Sequence, residues 1–206
     1  VVILDARDLT PLTVIPVEDR AGRASRVSAV YAAPPRHSFI VALRDQPELW
    51  EISYQDDPEP QARGFVHSYQ PGMLEGAFDY GPFPVRRTPL DEPLDDFFFD
   101  SAYRVAVGAG RTSRSGQVIN LNVGRKIADV PIGGMPHLAS GISFEHEGRP
   151  VMATPVLNEA AIVVIDMSTW RPIKRIATGG AGFFMRSHEN TSFAWIDTSL
   201  GPKRDQ

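Results

Sequence analysis

The chain has 206 residues, enough for one large domain or two small ones, and its 42% hydrophobic and 22% charged content is ordinary for a globular protein. A net charge of -4 argues against a general polyanion binder, so no nucleic-acid partner is expected. The absence of cysteine excludes disulfides, thiolate metal sites, a cysteine nucleophile and covalent Cys-x-x-Cys-His haem attachment within this stretch.

Eighteen prolines and seventeen glycines punctuate the chain at short intervals, which favours short strands and turns over long helices. No apolar run approaches the roughly eighteen residues of a transmembrane helix. The chain opens inside a strand-like run, Val1-Val2-Ile3-Leu4, and an upstream part is expected. That run leads through the turn residues Asp5 to Thr10 into a returning strand over 11–17. Strands are then expected at 27–32 and 39–43, flanking Pro34-Pro35-Arg36-His37, followed by Leu49-Trp50-Glu51-Ile52-Ser53-Tyr54. Residues 55–93 read as a Pro- and Gly-rich insertion carrying His67, Tyr69, Phe78, Tyr80 and Phe83. Its aromatic content predicts that it packs down onto the rest.

Strands resume at 97–99, 105–108, 117–121 and 125–130, then at 142–145, 151–154, 162–166 and 171–176, and finally at 183–186 and 193–196. The last three groups start near 97, 142 and 183, so the period is 45 and then 41 residues. Four short strands per period is the signature of a β-propeller blade. The predicted fold is all-β: a partial propeller over 1–206 of about four blades, the first and last incomplete. Asp5 and Asp166 end their strands at equivalent places and read as turn formers.

In such a blade the connections between blades and the middle hairpins share one rim. The first and last hairpins share the other. This sorts Arg20, Arg23 and Arg26, Asp95 and Asp96, Met135-Pro136-His137, Arg111 and Arg114, Asn158, and the run Gly179-Gly180-Ala181-Gly182-Phe183-Phe184 onto one rim. The expected result is a cup for a flat, anionic, partly apolar ligand. Guanidinium forks match carboxylates, glycines admit a ring close to backbone, and aromatics supply stacking area. His137 sits between a strand and the next in a loop with no regular structure of its own. Its imidazole reads either as a ligand-facing group or as a tie to nearby backbone. Asp95 and Asp96 are adjacent on what reads as a strand, which would send them to opposite sides. With Asp91 and Glu92 they are expected to form a solvated acidic loop. No Gly-x-Ser-x-Gly elbow, phosphate loop or His-Glu-x-x-His motif occurs.

Several stretches are specific. Ala33-Pro34-Pro35-Arg36-His37-Ser38-Phe39-Ile40-Val41, Glu48-Leu49-Trp50-Glu51-Ile52-Ser53-Tyr54, Leu94-Asp95-Asp96-Phe97-Phe98-Phe99-Asp100, Gly134-Met135-Pro136-His137-Leu138 and Gly182-Phe183-Phe184-Met185-Arg186-Ser187-His188-Glu189-Asn190-Thr191 resemble the NirF proteins of haem d1 biosynthesis, relatives of the haem d1 domain of cytochrome cd1 nitrite reductase. The resemblance covers nearly the whole chain and implies an eight-bladed propeller of which this is about half. It further implies a periplasmic protein that binds haem d1 or its late dihydro-haem d1 precursor, as ligand or substrate, for nitrite reductase maturation in denitrification. Partners implied with it are the tetrapyrrole, other haem d1 assembly proteins, cytochrome cd1 nitrite reductase and a second copy in a homodimer.

By the resemblance His137 matches the distal-pocket histidine of the Pro-His loop and is the expected catalytic group. Arg23, Arg26, Arg111, Arg114 and Arg186 are the expected partners of the macrocycle carboxylates, with Phe183 and Phe184 against its face. The axial iron ligand is expected outside this chain. The family's second distal histidine matches Val156, which disfavours a nitrite reductase domain. A propeller that serves only as scaffold or carrier, delivering the tetrapyrrole to partners, is the alternative from a different class.

Overall fold

The computed structural model describes residues 1–19, 22–67, 74–79, 81–113, 115–133 and 137–202. Three four-stranded antiparallel sheets follow one another. The first holds β3 (Val27–Ala33), β4 (Ser38–Leu43), β5 (Glu48–Ser53) and β8 (Val85–Pro89); the second holds β9 (Asp96–Phe99), β10 (Val105–Ala109), β11 (Gly116–Asn120) and β12 (Arg125–Val130); the third holds β13 (Ile142–His146), β14 (Arg149–Val156), β15 (Ala161–Asp166) and β16 (Arg171–Ala177). Two-stranded sheets flank them, β1 (Val2–Leu4) with β2 (Pro11–Val14) and β17 (Met185–Ser187) with β18 (Ala194–Ile196). Within each sheet the strands run in chain order as a meander, the plan of a propeller blade.

The repeat is visible at atomic level in three closing hairpins, β1–β2, β11–β12 and β15–β16. The Oδ1 atoms of Asp5, Asn120 and Asp166 each accept the backbone N–H two residues on, from Arg7, Asn122 and Ser168 at 2.9, 2.9 and 2.7 Å. Four residues on, Leu9, Gly124 and Trp170 all adopt left-handed backbone, with φ of 62°, 61° and 56°. Their N–H groups return to the carbonyls of Asp5, Asn120 and Asp166. A register shift recurs two residues before each Asx position, at Ile3, Val118 and Val164. A bulge at a fixed place re-aims the same strand in every copy. It also identifies β1–β2 as the closing hairpin of a preceding blade.

The expected insertion is shorter than 55–93. Val85–Pro89 pairs with β5 from Glu48↔Pro89 to Ile52↔Val85 and is the outer strand of its sheet. Its sequence, Val85-Arg86-Arg87-Thr88-Pro89, hides this, because an outermost strand half facing solvent carries few apolar positions. What interrupts the blade is the hairpin of β6 (Gln61–His67) and β7 (Leu74–Asp79), a separate two-stranded sheet between β5 and β8. Phe83 packs down as expected, against the cluster of Ile3, Val41 and Trp50, while Phe78 is exposed. Tyr69 and Tyr80 lie outside the described residues.

Middle strands such as β4 and β14 are apolar without alternation because both of their faces are covered by neighbouring sheets. Ile40, Leu49, Leu94, Phe97 and Ile119 fill one inter-sheet core; Val107, Val118, Leu138, Met152 and Ile165 fill the next. Burial of side chains this size contributes about 1.5–3 kcal/mol each. Outer strand β16 is exposed along its whole length.

Candidate functional site

Because each blade is a meander, the connections β8–β9, β12–β13 and β16–β17 share an end with the β10–β11 and β14–β15 turns. They enclose a cleft of about 510 Å³ lined by Asp95, Asp96, Arg111, His137, Leu157, Asn158, Phe183 and Leu200. That size lies within the roughly 300–1,000 Å³ of small-molecule sites.

His137 is held by its backbone on both sides. Its N–H donates to the Pro155 carbonyl at 3.1 Å, and its carbonyl accepts the Thr154 hydroxyl at 3.1 Å. A 3-10 turn, Leu138–Ser140, follows at once and buries Leu138 in the core. The ring is equally constrained. Nδ1 lies 2.6 Å from the Phe183 carbonyl, which only accepts, so Nδ1 carries its hydrogen. Nε2 is the nitrogen left to exchange a proton, and it faces Asp96 Oδ2 at 3.6 Å. The tie to backbone is realised on Nδ1, while Nε2 stands beside a carboxylate that lines the cleft.

The rings of Phe183 and Phe184 stand edge-on to the imidazole, with centroids at 5.7 and 6.3 Å. Phe183 lines the cleft, and Phe184 is 57% exposed beside it. Asp197 pins this pair by accepting the Phe184 N–H at 2.6 Å. Burial pushes the Asp197 carboxyl up, but hydrogen bonds from Ser199 and from the Phe183 and Phe184 backbone outweigh it and hold it below its ordinary value.

Among the described residues, the arginines expected around the cup lie in different settings. Of the four that are described, Arg111 alone lines the cleft, with Nε 3.5 Å from Asp95 Oδ2. Arg23 is bonded to Asp19 through Nε at 2.7 Å, and Arg26 grips Asp45 with Nε at 3.0 Å and Nη2 at 2.6 Å. Both belong to connections one blade away and neutralise a local carboxylate. Arg186 donates to the Met185 carbonyl, and its Cζ lies 6.0 Å from the Phe184 ring. Arg20, Arg114 and residues 134–136 lie outside the described residues. Glycine's role also differs from expectation. A Cβ on Gly182 would overlap the Asp197 carbonyl, and one on Gly180 would meet Gly201 at 2.8 Å, so the space beside this run is filled by the chain itself.

The acidic pair departs from expectation in the other direction. Asp95 and Asp96 both line the cleft because Asp95 lies in the bend before β9 rather than on the strand. Alternation therefore does not separate them. Asp91 and Glu92 are engaged too, with Lys126 and with Ser113. Tyr31, unremarked in the sequence, donates to Asp96 Oδ1 at 2.8 Å. Finding it needs the adjacency of β3 and β9, which no local pattern carries. Val156 is fully buried in the core behind the cleft, so the wall at that point is Leu157 and Asn158.

The cleft brings together one guanidinium, one imidazole, one phenyl group and two leucines beside the carboxylates of Asp95 and Asp96. Among the described residues no group of three or more His, Cys, Asp or Glu could hold a metal ion, and no helix is long and apolar enough to cross a membrane.

The family profile described as Cytochrome D1 heme domain matches residues 1–71 and 73–206. The chain is 46% identical over 205 residues to a dihydro-heme d1 dehydrogenase of Pseudomonas aeruginosa, covering 100% of this chain and 37% of that protein. The solved structure of dihydro-heme d1 dehydrogenase NirN in complex with DHE superposes with a TM-score of 0.83 at 46% identity, over 98% of this chain and 38% of that one. Hydrazine synthase of Kuenenia stuttgartiensis shares the fold alone, with a TM-score of 0.53 and 9% identity over 89% of this chain and 44% of that one. The chain thus spans little more than a third of the length of the dehydrogenase it matches. With its blades, its rim cleft and this match over nearly every residue, the chain belongs to the cytochrome D1 heme domain family.

Proposed function

We propose that this chain is the part of a haem d1 biosynthesis protein that holds dihydro-haem d1 as substrate, with His137 taking up a proton during its dehydrogenation. Dehydrogenation removes two hydrogens, that is, two protons and two electrons. His137 takes up one of the two protons, the second leaves to water, and both electrons pass to an acceptor supplied elsewhere in the complete protein. The observation that carries the reading is the fixed His137 ring at the cleft: Nδ1 is committed to the Phe183 carbonyl, so Nε2, beside Asp96, is the acceptor. Phe183 offers apolar surface to the macrocycle, and Arg111, which is 61% exposed and only loosely paired with Asp95 at 3.5 Å, turns to one of its carboxylates. The identity to a dihydro-heme d1 dehydrogenase supports the same substrate.

In this reading the protein works in the periplasm, alongside other haem d1 assembly proteins, and its product serves cytochrome cd1 nitrite reductase in denitrification. A second reading, a NirF-type carrier that delivers the tetrapyrrole without changing it, is favoured by the β6–β7 hairpin, a separate sheet that the blade core does not need. Incubating the complete protein with dihydro-haem d1 and an electron acceptor separates the two. Conversion to haem d1, followed by its absorption bands, is expected. Tight binding with no conversion would leave the carrier.

A further inference from the structure

We propose that Asp96, anchored by Tyr31, is the positioning residue that holds His137 ready to take up its proton. The inference rests on the reading of His137 given above.

Two strands and one connection meet at this point: Tyr31 comes from β3, Asp96 from the first position of β9, and His137 from the loop before β13. Asp96 Oδ1 is saturated by the Tyr31 hydroxyl at 2.8 Å and the Phe97 N–H at 2.9 Å. That leaves Oδ2, 3.6 Å from His137 Nε2. The separation is too long for a hydrogen bond but within reach of an ion pair once the imidazole is protonated. Tyr31 is itself fixed, with its ring edge-on to the buried Phe97 at 5.0 Å. Burial, and then the bond to Asp96, push the Tyr31 hydroxyl up to about 12, so it stays a donor across neutral pH.

The other charged groups around the imidazole do not replace Asp96. Asp95 is paired with Arg111 at 3.5 Å, and Arg186 lies against Phe184. Asn158 is neutral, and Phe183 presents its carbonyl to Nδ1. Asp96 is the carboxylate whose remaining oxygen faces Nε2, the nitrogen at which a transferred proton would arrive.

The test uses the complete protein, dihydro-haem d1, and the variants Asp96→Asn, Asp96→Glu, Tyr31→Phe and His137→Gln. Asparagine retains an Oδ1 for Tyr31 and Phe97 while removing the charge. Asp96→Asn is expected to bind the pigment within about threefold of wild type and to keep KM within the same range, but to lose about tenfold in kcat. Asp96→Glu restores part of the rate. Tyr31→Phe acts in the same direction by about threefold, because a looser carboxyl spends less time facing the ring, and it serves as the readout should Asp96→Asn fail to fold. An unchanged kcat in both Asp96→Asn and Tyr31→Phe, or a loss confined to KM, with His137→Gln inactive, overturns the role of Asp96 alone. Full turnover in His137→Gln overturns the reading beneath it as well.

Discussion

Two polar clusters sit at opposite ends of the second blade's contact with its neighbour, and they differ in what they leave over. At the end away from the cleft, Glu51 accepts Arg36 Nε at 2.8 Å and the Ser38 hydroxyl at 2.8 Å, and also pairs with Arg86. Arg36 goes on to the Tyr103 carbonyl and the Asn122 side chain, and both arginines reach the Leu121 carbonyl. These bonds tie β5 and β8 to the turns of the next blade, with every group engaged. At the cleft end, His137 Nε2 and Asp96 Oδ2 face each other at 3.6 Å without closing a hydrogen bond. A network that consumes its donors and acceptors is a clamp. One that leaves a titratable atom facing a cavity retains the capacity to react.

The sharpest way to break this contrast is to cross the two ends. Glu51→Ala strips the shared acceptor from two half-buried guanidinium groups and is expected to destabilise by about 3 kcal/mol, read from urea or thermal unfolding. Dihydro-haem d1 binding should survive in whatever fraction stays folded. Asp96→Asn should do the reverse, with an unfolding midpoint close to wild type and slowed turnover.

Gly182→Ala is expected to cost about 1–3 kcal/mol, because the new Cβ overlaps the Asp197 carbonyl and displaces the loop bearing Phe183. It should weaken pigment binding as well as stability, which separates it from the clamp variant.

Acid offers a graded version of the same comparison. Burial pushes Glu51 up, but the Arg36 bond, the Arg86 charge and the Ser38 bond outweigh it, so its folded value lies below the ordinary 4.5. A lowered carboxylate contributes stability that is complete above the unfolded value and is lost as pH falls through the folded one. Unfolding midpoints should therefore fall as pH drops below about 4.5, and Glu51→Gln should flatten that slope. The smallest effect is expected at the turns. Leu9→Gly relieves a left-handed leucine at φ 62° that is 68% exposed and should stabilise by up to about 1 kcal/mol.

What could be read from the chain alone follows the range of the interactions. The strands of the repeating blades and the Asx turns at Asp5 and Asp166 are local, set by alternation and by side chains bonding their own backbone, and the expected positions agree within a few residues. The placement of His137 with Phe183 and Arg111 on one rim follows from meander topology, which the 41- and 45-residue periods already imply. The outer strand Val85–Pro89 was hidden because solvent-facing strands lose their apolar signature. Asp95 and Asp96 were separated on paper by a strand alternation that begins one residue too late to apply. Arg23 and Arg26 looked available for a ligand because their partners, Asp19 and Asp45, are set by the geometry of hairpin and connection rather than by composition. Tyr31 on Asp96 is an inter-blade contact 65 residues apart in sequence.

The central claim is that His137 faces the bound tetrapyrrole and accepts a proton from it. Its most direct test is a visible absorption titration and single-turnover assay of His137→Ala in the complete protein with dihydro-haem d1. Displaced absorption bands and a rate at least about 100-fold lower are expected. Unchanged bands with unchanged turnover would contradict the account.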